Sequence, residues 1–183
     1  MDTMQVPLTR GLFATVDIQD ALSVMEFRWH VTGISGRSTH YARSSAAASR
    51  HPKRGVMHRF ILQCPDDSYV DHIDGNGLNN TRANLRLATS GQNVMNRGKR
   101  RGVGNGYKGV WLDVPTGRWR SAICINYKLV HLGMFKDALD AAIAYDVAAR
   151  KHFGEFARPN FKTEVDLQSA LDERASHAAG ARA

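Results

Sequence analysis

The residues best equipped for chemistry lie between Val70 and Asn93. They run Val70-Asp71-His72-Ile73-Asp74-Gly75-Asn76, then Asn80, then Asn84-Leu85-Arg86, and end at Gln92-Asn93. An imidazole can take a proton from water. Carboxylate and carboxamide oxygens are hard donors that suit magnesium or manganese better than zinc. Hydrolysis of a phosphodiester needs this combination: a base to activate water, a divalent cation to neutralise the departing oxyanion, and a scaffold that holds both beside the phosphate. His72, at a strand end, can be the base. Asp71 points the other way along the pleat, yet at a strand end it can turn toward a metal shared with Asn93. Taken singly, an Asp-His pair, an Asp-Gly-Asn turn or a Gln-Asn pair is commonplace, and it is their order on one frame that signals a site.

That frame is legible in the same stretch. Val70–Ile73 reads as a short strand ending in the turn Asp74-Gly75-Asn76-Gly77, and Asn84–Ala88 as a second strand. Thr89 opens a helix, with Gln92 three residues on completing a capping box. A hairpin followed by a capped helix is a compact ββα unit. Upstream, residues 6–62 read as short strands and turns: a helix over Asp17–Met25, strands at Phe27–Val31 and Val56–Leu62, and a loop or strand edge in the Ser/Ala stretch at 44–49. Residues 97–106, with four glycines and four cations, read as a linker. Strands follow at 107–113, 118–126 and 128–135, then a helix over Asp137–His152 whose alanines permit close approach to a sheet. The last twenty residues read as a frayed helix.

Composition narrows the partners. The chain has 183 residues, 43% of them hydrophobic, a formal charge of +8 and a sequence pI near 9.9. This is enough for two small cores and fits a polyanionic partner. From Phe27 to Pro65 seven cations meet no acid, and from Arg97 to Lys128 eight cations meet one, Asp113. Such one-sided runs suit phosphate tracking. Two cysteines sixty residues apart, Cys64 and Cys124, make neither a disulfide framework nor a zinc clamp. With no membrane-length apolar run and no leader-like start, the expectation is a cytoplasmic protein of a bacterial host or phage-infected cell, without membrane contact.

The stretch from Met57 to Asn96 resembles the HNH endonucleases of the homing, phage-encoded type, whose fold is a ββα-metal unit. The resemblance implies that His72 is the general base, that Asp71 and Asn93 ligate one divalent cation, magnesium or manganese, and that Asn84 pins the loop between the two strands. It also implies that His58-Arg59 is the family's His-Arg pair near the substrate phosphate, so His72, Asn84 and His58 form the catalytic set. A half-buried strand histidine is the competing reading of His58.

Downstream, Tyr107-Lys-Gly-Val110, Gly117-Arg-Trp119, Ile123, Leu132-Gly-Met-Phe135, Ala141-Ala142, Ala144-Tyr145-Asp146, Ala148-Ala149, Gly154 and Asn160-Phe161 resemble the plant ethylene-response-factor (Apetala-type) DNA-binding domain. That family lays a three-stranded sheet in the major groove. Strand alternation puts Trp119, Ser121, Ile123 and Ile125 toward the helix, and Arg118, Arg120, Ala122, Cys124 and Asn126 toward DNA. Trp111, Asp113 and Cys124 stand where the plant domains carry arginines, and His131 where they carry tryptophan, so the plant target sequence does not carry over.

The expectation is therefore an α+β protein: an HNH module over 1–97, a basic linker over 98–106, a DNA-binding domain over 107–163 and a tail over 164–183. It is an endonuclease acting on double-stranded DNA, as a monomer or a dimer. The expected DNA contacts are Arg59, Arg97, Lys99, Arg100, Arg101, Lys108, Trp111, Arg118, Arg120 and His131. The rival readings are a non-catalytic DNA-binding regulator and an RNA-binding or RNA-cleaving protein. The second is weakened by the lack of paired exposed aromatics on the sheet.

Overall fold

A computed structural model of the protein describes residues 2–33, 39–50, 55–96 and 106–180. The chain is a mixture of helices and small antiparallel sheets, and it divides into two compact units, Met1–Asn96 and Arg97–Ala183.

In the first unit, β1 (Thr3–Pro7) and β2 (Phe13–Asp17) form a hairpin whose turn passes through positive φ at Arg10 and Gly11. Next come α1 (Ile18–Met25), the hairpin β3 (His30–Gly33) and β4 (His40–Arg43), then α2 (Ser45–Arg50) and α3 (Met57–Ile61). The last hairpin pairs β5 (Tyr69–His72) with β6 (Leu85–Ala88), register Asp71 to Arg86 and His72 to Leu85, and runs into α4 (Ser90–Met95). No hairpin of this size is stable alone. All contribute to one core, built from Val6, Val16, Val24, Trp29, Val31, Met57, Ile61, Val70 and Leu85 among others. Phe27, Trp29 and Phe60 meet edge to face, and the buried Trp29 indole N–H donates to the Val24 carbonyl at 2.7 Å.

Three upstream expectations need correction. The stretch read as a strand over Val56–Leu62 holds the helix α3 (Met57–Ile61): Met57 and Ile61, four residues apart, are both buried on one face. An apolar run this short fits both periods, and packing decides between them. The Ser/Ala stretch at 44–49 lies mostly in α2, as its alanine content favours. The strand predicted at Phe27 begins only at His30, because Phe27 and Trp29 turn into the core.

In the second unit, β7 (Val110–Asp113), β8 (Arg118–Ile125) and β9 (Lys128–Phe135) form an antiparallel sheet in chain order. The β8–β9 turn holds Asn126 and Tyr127 at φ of 48° and 64°, the pair of left-handed residues that a two-residue hairpin requires. The helix α5 (Ala138–Phe153), capped by the Asp137 carboxylate on the Leu139 amide at 2.6 Å, lies on the sheet through Leu139, Ala141, Ala142, Tyr145 and Ala149. Gly109, at φ of +75°, is obligatory, since a Cβ there would strike the Tyr145 ring. Buried Asp146 accepts from both the amide and the side chain of Asn160 and from the Phe161 amide, and Asn160 in turn accepts from the Lys108 amide at 2.6 Å, so one carboxylate clasps both ends of the unit. In α6 (Glu164–Gly180), Leu167, Ala170 and Leu171 pack on this second core. No helix among the described residues is long and apolar enough to cross a membrane.

Candidate active site

The β5–β6 hairpin brings Asp71 and His72 together as adjacent buried residues, 4% and 6% exposed. The long loop that joins the strands is held by an amide network. Asn84 Oδ1 accepts from the Asp74 amide at 3.0 Å, and its Nδ2 donates to the Asn79 carbonyl at 2.8 Å and to Asp74 Oδ1 at 2.9 Å. Asp74 also accepts from the Asn76 amide at 2.7 Å and from Asn79 Nδ2 at 2.8 Å. Desolvation pushes the Asp74 carboxyl up, but these donors outweigh it and hold the group below its ordinary value.

The N-terminal hairpin braces the same loop from outside. Thr15 on β2 donates its amide to Leu78 at 2.9 Å and accepts from the Asn80 amide at 2.7 Å. Asp20 on α1 grips the Arg82 guanidinium with two bonds of 2.8 Å, and Asp17 accepts from the Arg82 amide at 2.7 Å. Gly77 passes so close to β4 that a Cβ would collide with the His40 carbonyl and the Tyr41 ring.

His72 sits in a small polar cluster. Its Nε2 lies 3.4 Å from Oδ1 of the fully buried Asn80. Its ring meets that of His58 edge-on at 4.9 Å, and Tyr41 lies against both at 5.8 Å and 5.6 Å. Burial, the largest influence, lowers the His72 pKa against the opposing pull of Asn80, Asp74 and Asp71. Burial pushes His58 well below its usual range, with the His72 and Arg59 charges adding to the effect. Both rings are therefore neutral near pH 7. His58 Nδ1 and Asn80 Nδ2 are buried without a hydrogen-bond partner.

Asp71 faces α4. Arg86, its cross-strand neighbour, donates to Oδ2 through Nε at 2.9 Å and Nη2 at 2.7 Å. Asn96, the C-cap of α4, donates through Nδ2 to Oδ1 at 2.9 Å, to Oδ2 at 3.0 Å and to the His72 carbonyl at 2.8 Å. Asn93 lies three residues earlier on the same helix, hence on the same face. The donor chemistry fits a hard cation: Asp71 is a buried carboxylate whose Oδ1 takes only the Asn96 donor, and Asn93 carries a carboxamide oxygen. Among the described residues there is no cluster of three His, Cys, Asp or Glu side chains that could hold an ion.

On the second unit, the sheet face away from α5 carries a coherent group. Arg120 lies over the Trp111 ring at 5.7 Å and donates through Nε to His131 Nδ1 at 3.4 Å. Arg118 is exposed opposite Asp113. A bulge between Ser121 and Ala122 brings His131, not Leu132, opposite Ala122, which sets the imidazole beside Arg120.

An HNH endonuclease family model matches residues 63–95. An uncharacterized HNH endonuclease of Acanthamoeba polyphaga mimivirus is 32% identical over 157 residues, spanning 82% of this chain and 76% of its own length. This chain belongs to the HNH endonuclease family. Protein 3.8 of Escherichia phage T7 is 33% identical over 94 residues, 51% of this HNH endonuclease and 77% of the phage protein. An AP2/ERF and B3 domain-containing transcription repressor of Arabidopsis thaliana is 42% identical over 64 residues, 35% of this chain and 18% of its own length.

Against the residues singled out from sequence, the structure gathers Asp71, His72 and His58 in one place and puts Asn84 in the loop that holds them. Two residues assigned to DNA have partners within the chain. Arg59 donates to the Ser68 carbonyl at 2.6 Å and the Pro65 carbonyl at 2.8 Å, and so braces the 65–68 turn. Lys108 lies over the Tyr145 ring at 5.6 Å with Nζ 3.5 Å from the Arg158 carbonyl, and burial, aided by Arg158, pushes its pKa down to about 8. Arg97, Lys99, Arg100 and Arg101 lie outside the described residues. Sequence reasoning gave no role to Asn80, Arg86, Asn96 or the Asp20–Arg82 pair. Arg86 had a signal, since any register that sets Asp71 inward places a cross-strand partner beside it.

Proposed function

We propose that this HNH endonuclease is a divalent-cation-dependent hydrolase of duplex DNA, with its chemistry at His72 and its positioning aided by the outer face of β7–β9. The observation that carries the reading is the setting of His72: neutral, buried at a strand end, fixed by Asn80 and adjacent to the carboxylate of Asp71. With Nε2–H given to Asn80 Oδ1, the lone pair remains on Nδ1, which accepts the proton of the attacking water. Asn84 keeps the loop closed, and His58 and Tyr41 wall the imidazole from solvent. Asp71 and Asn93 would hold one magnesium or manganese ion, which supplies neutralisation of the negative charge on the departing oxygen. One such site cleaves one strand, so a single chain nicks.

The sheet contributes contacts to DNA through Trp111, Arg118, Arg120 and His131. The likeness to an AP2/ERF-domain protein supports this role, as does the alignment of those side chains on one face. The test is a supercoiled plasmid incubated with full-length protein and magnesium. The wild type should convert it to nicked circles, EDTA should stop the reaction, and His72→Ala should lose roughly 10²–10⁴-fold in rate while its DNA affinity stays within a few-fold. Near-normal cleavage by His72→Ala would remove the imidazole from the mechanism.

A further inference from the structure

At Asp71 the protein already supplies a cation of its own. The carboxylate is buried, and the Arg86 guanidinium that lays two N–H groups on Oδ2 is itself only 14% exposed, so water screens the pair weakly. Asn96 Nδ2 shares one N–H between the two oxygens and gives the other to the His72 carbonyl, so Oδ2 alone carries the two Arg86 donors. Lone-pair room for a metal is therefore concentrated on Oδ1, and bidentate capture is blocked by the Arg86 fork. Asn93 and Asn96 are neutral. Among these groups the single negative charge of Asp71 is opposed by the single positive charge of Arg86, so an approaching dication meets a weaker attraction than an unpaired carboxylate would exert. Asp74, the next carboxylate along the hairpin, is engaged by the Asn76, Asn79 and Asn84 donors. Ions of the magnesium type are commonly held by one or two carboxylates completed by substrate phosphates.

We propose that Arg86 is the resident counter-charge of Asp71, which weakens the site's hold on a divalent cation until a DNA phosphate adds its own negative charge. The inference rests on Asp71 being the ion ligand of the proposed function. Arg86 touches neither substrate nor metal in this role and is a positioning residue: it fixes the carboxylate for one-oxygen contact and tunes the ion's affinity downward. A guanidinium about 5 Å from a dication weakens binding by roughly ten- to twenty-fold even with the dielectric of water, and by more where water is excluded.

The experiment measures Mn²⁺ binding to the full-length chain without DNA, by the paramagnetic resonance signal of unbound Mn²⁺, for the wild type, Arg86→Gln, Arg86→Lys, Asp71→Asn and the double variant Asp71→Asn/Arg86→Gln. Arg86→Gln should bind at least about ten-fold tighter than the wild type. Arg86→Lys keeps the charge and should stay close to the wild type, and the double variant should lose the gain. Arg86→Gln leaves Asp71 without its partner, so it should melt lower in EDTA and recover as Mn²⁺ is added. If it fails to fold without metal, the Mn²⁺ concentration that refolds it reads the same affinity. Adding duplex DNA to the cleavage-deficient His72→Ala chain should tighten Mn²⁺ binding. Equal Mn²⁺ affinity in the wild type and Arg86→Gln, with Asp71→Asn abolishing both, overturns the role of Arg86 alone. Binding that Asp71→Asn leaves unchanged in every background overturns the ion assignment on which it rests.

Discussion

Replacing Asn84 by alanine would remove three hydrogen bonds from the loop between β5 and β6. The Asp74 amide and the Asn79 carbonyl are the two backbone groups left behind. An orphaned buried polar group costs about 1–3 kcal/mol. Both groups sit at the loop margin, where water can partly replace the lost partner, so a combined cost of about 2–4 kcal/mol is expected. The core of the unit, with Val70 and Leu85 beneath the hairpin, is untouched by the change. Its effect should therefore be a lower free energy of local opening, not global unfolding. Native-state amide exchange reads this directly. At about 1.4 kcal/mol per factor of ten, the Asp74 amide should exchange roughly 30- to 700-fold faster in Asn84→Ala, while amides in β1 and α1 change little. Cleavage should fall mainly in kcat, because the loop that frames His72 is open for more of the time. An Asp74 amide that keeps its wild-type protection would refute the view that Asn84 acts by closing the loop.

Two further outcomes follow from the same structure. His58 and His72 have pKa values below the unfolded value of 6.5, so the folded state favours their neutral forms. Their contribution to stability is present above pH 6.5 and is lost as the pH falls through the folded values, and the melting temperature should drop on acidification below that point. His58→Phe should flatten that acid limb, and an unchanged slope would show that His58 is not among the groups responsible. For the sheet, Arg120→Ala should lower the slope of log DNA affinity against log salt by about 0.9 if the guanidinium meets a phosphate. If it meets a base edge, the slope should hold and discrimination at one position should be lost. No change in either would take Arg120 out of the interface.

The β5–β6 hairpin and α4 were legible because their signals are local. Thr89 and Gln92 form a capping box whatever surrounds them, and both of its bonds are present. The second unit was legible for the same reason, with strands and a helix separated by Gly117, the Asn126-Tyr127 turn and Asp137. What sequence could not supply were features set by tertiary contact. Met57–Ile61 is helical because its two end residues must both enter a core formed by distant hairpins. Arg59 and Lys108 read from sequence as phosphate ligands, and their contacts with the carbonyls of a turn and with an aromatic ring were not legible there. Composition counts charges, and only the fold says which way each one faces.

The bonds from Thr15, Asp17 and Asp20 to the loop at 78–82 bear on how such a nuclease can be cut, spliced or exchanged. The stretch that the family model matches begins at residue 63, but the contacts that brace its loop begin in the first hairpin and α1. A graft of residues 63–95 onto another scaffold would carry the motif without its buttress, and its loop would have no β2 to lean on. Recombination that respects the bracing must join new recognition domains after Asn96 and leave everything before it intact. The N-terminal third thus supports the loop of the motif from outside the stretch that the family model matches.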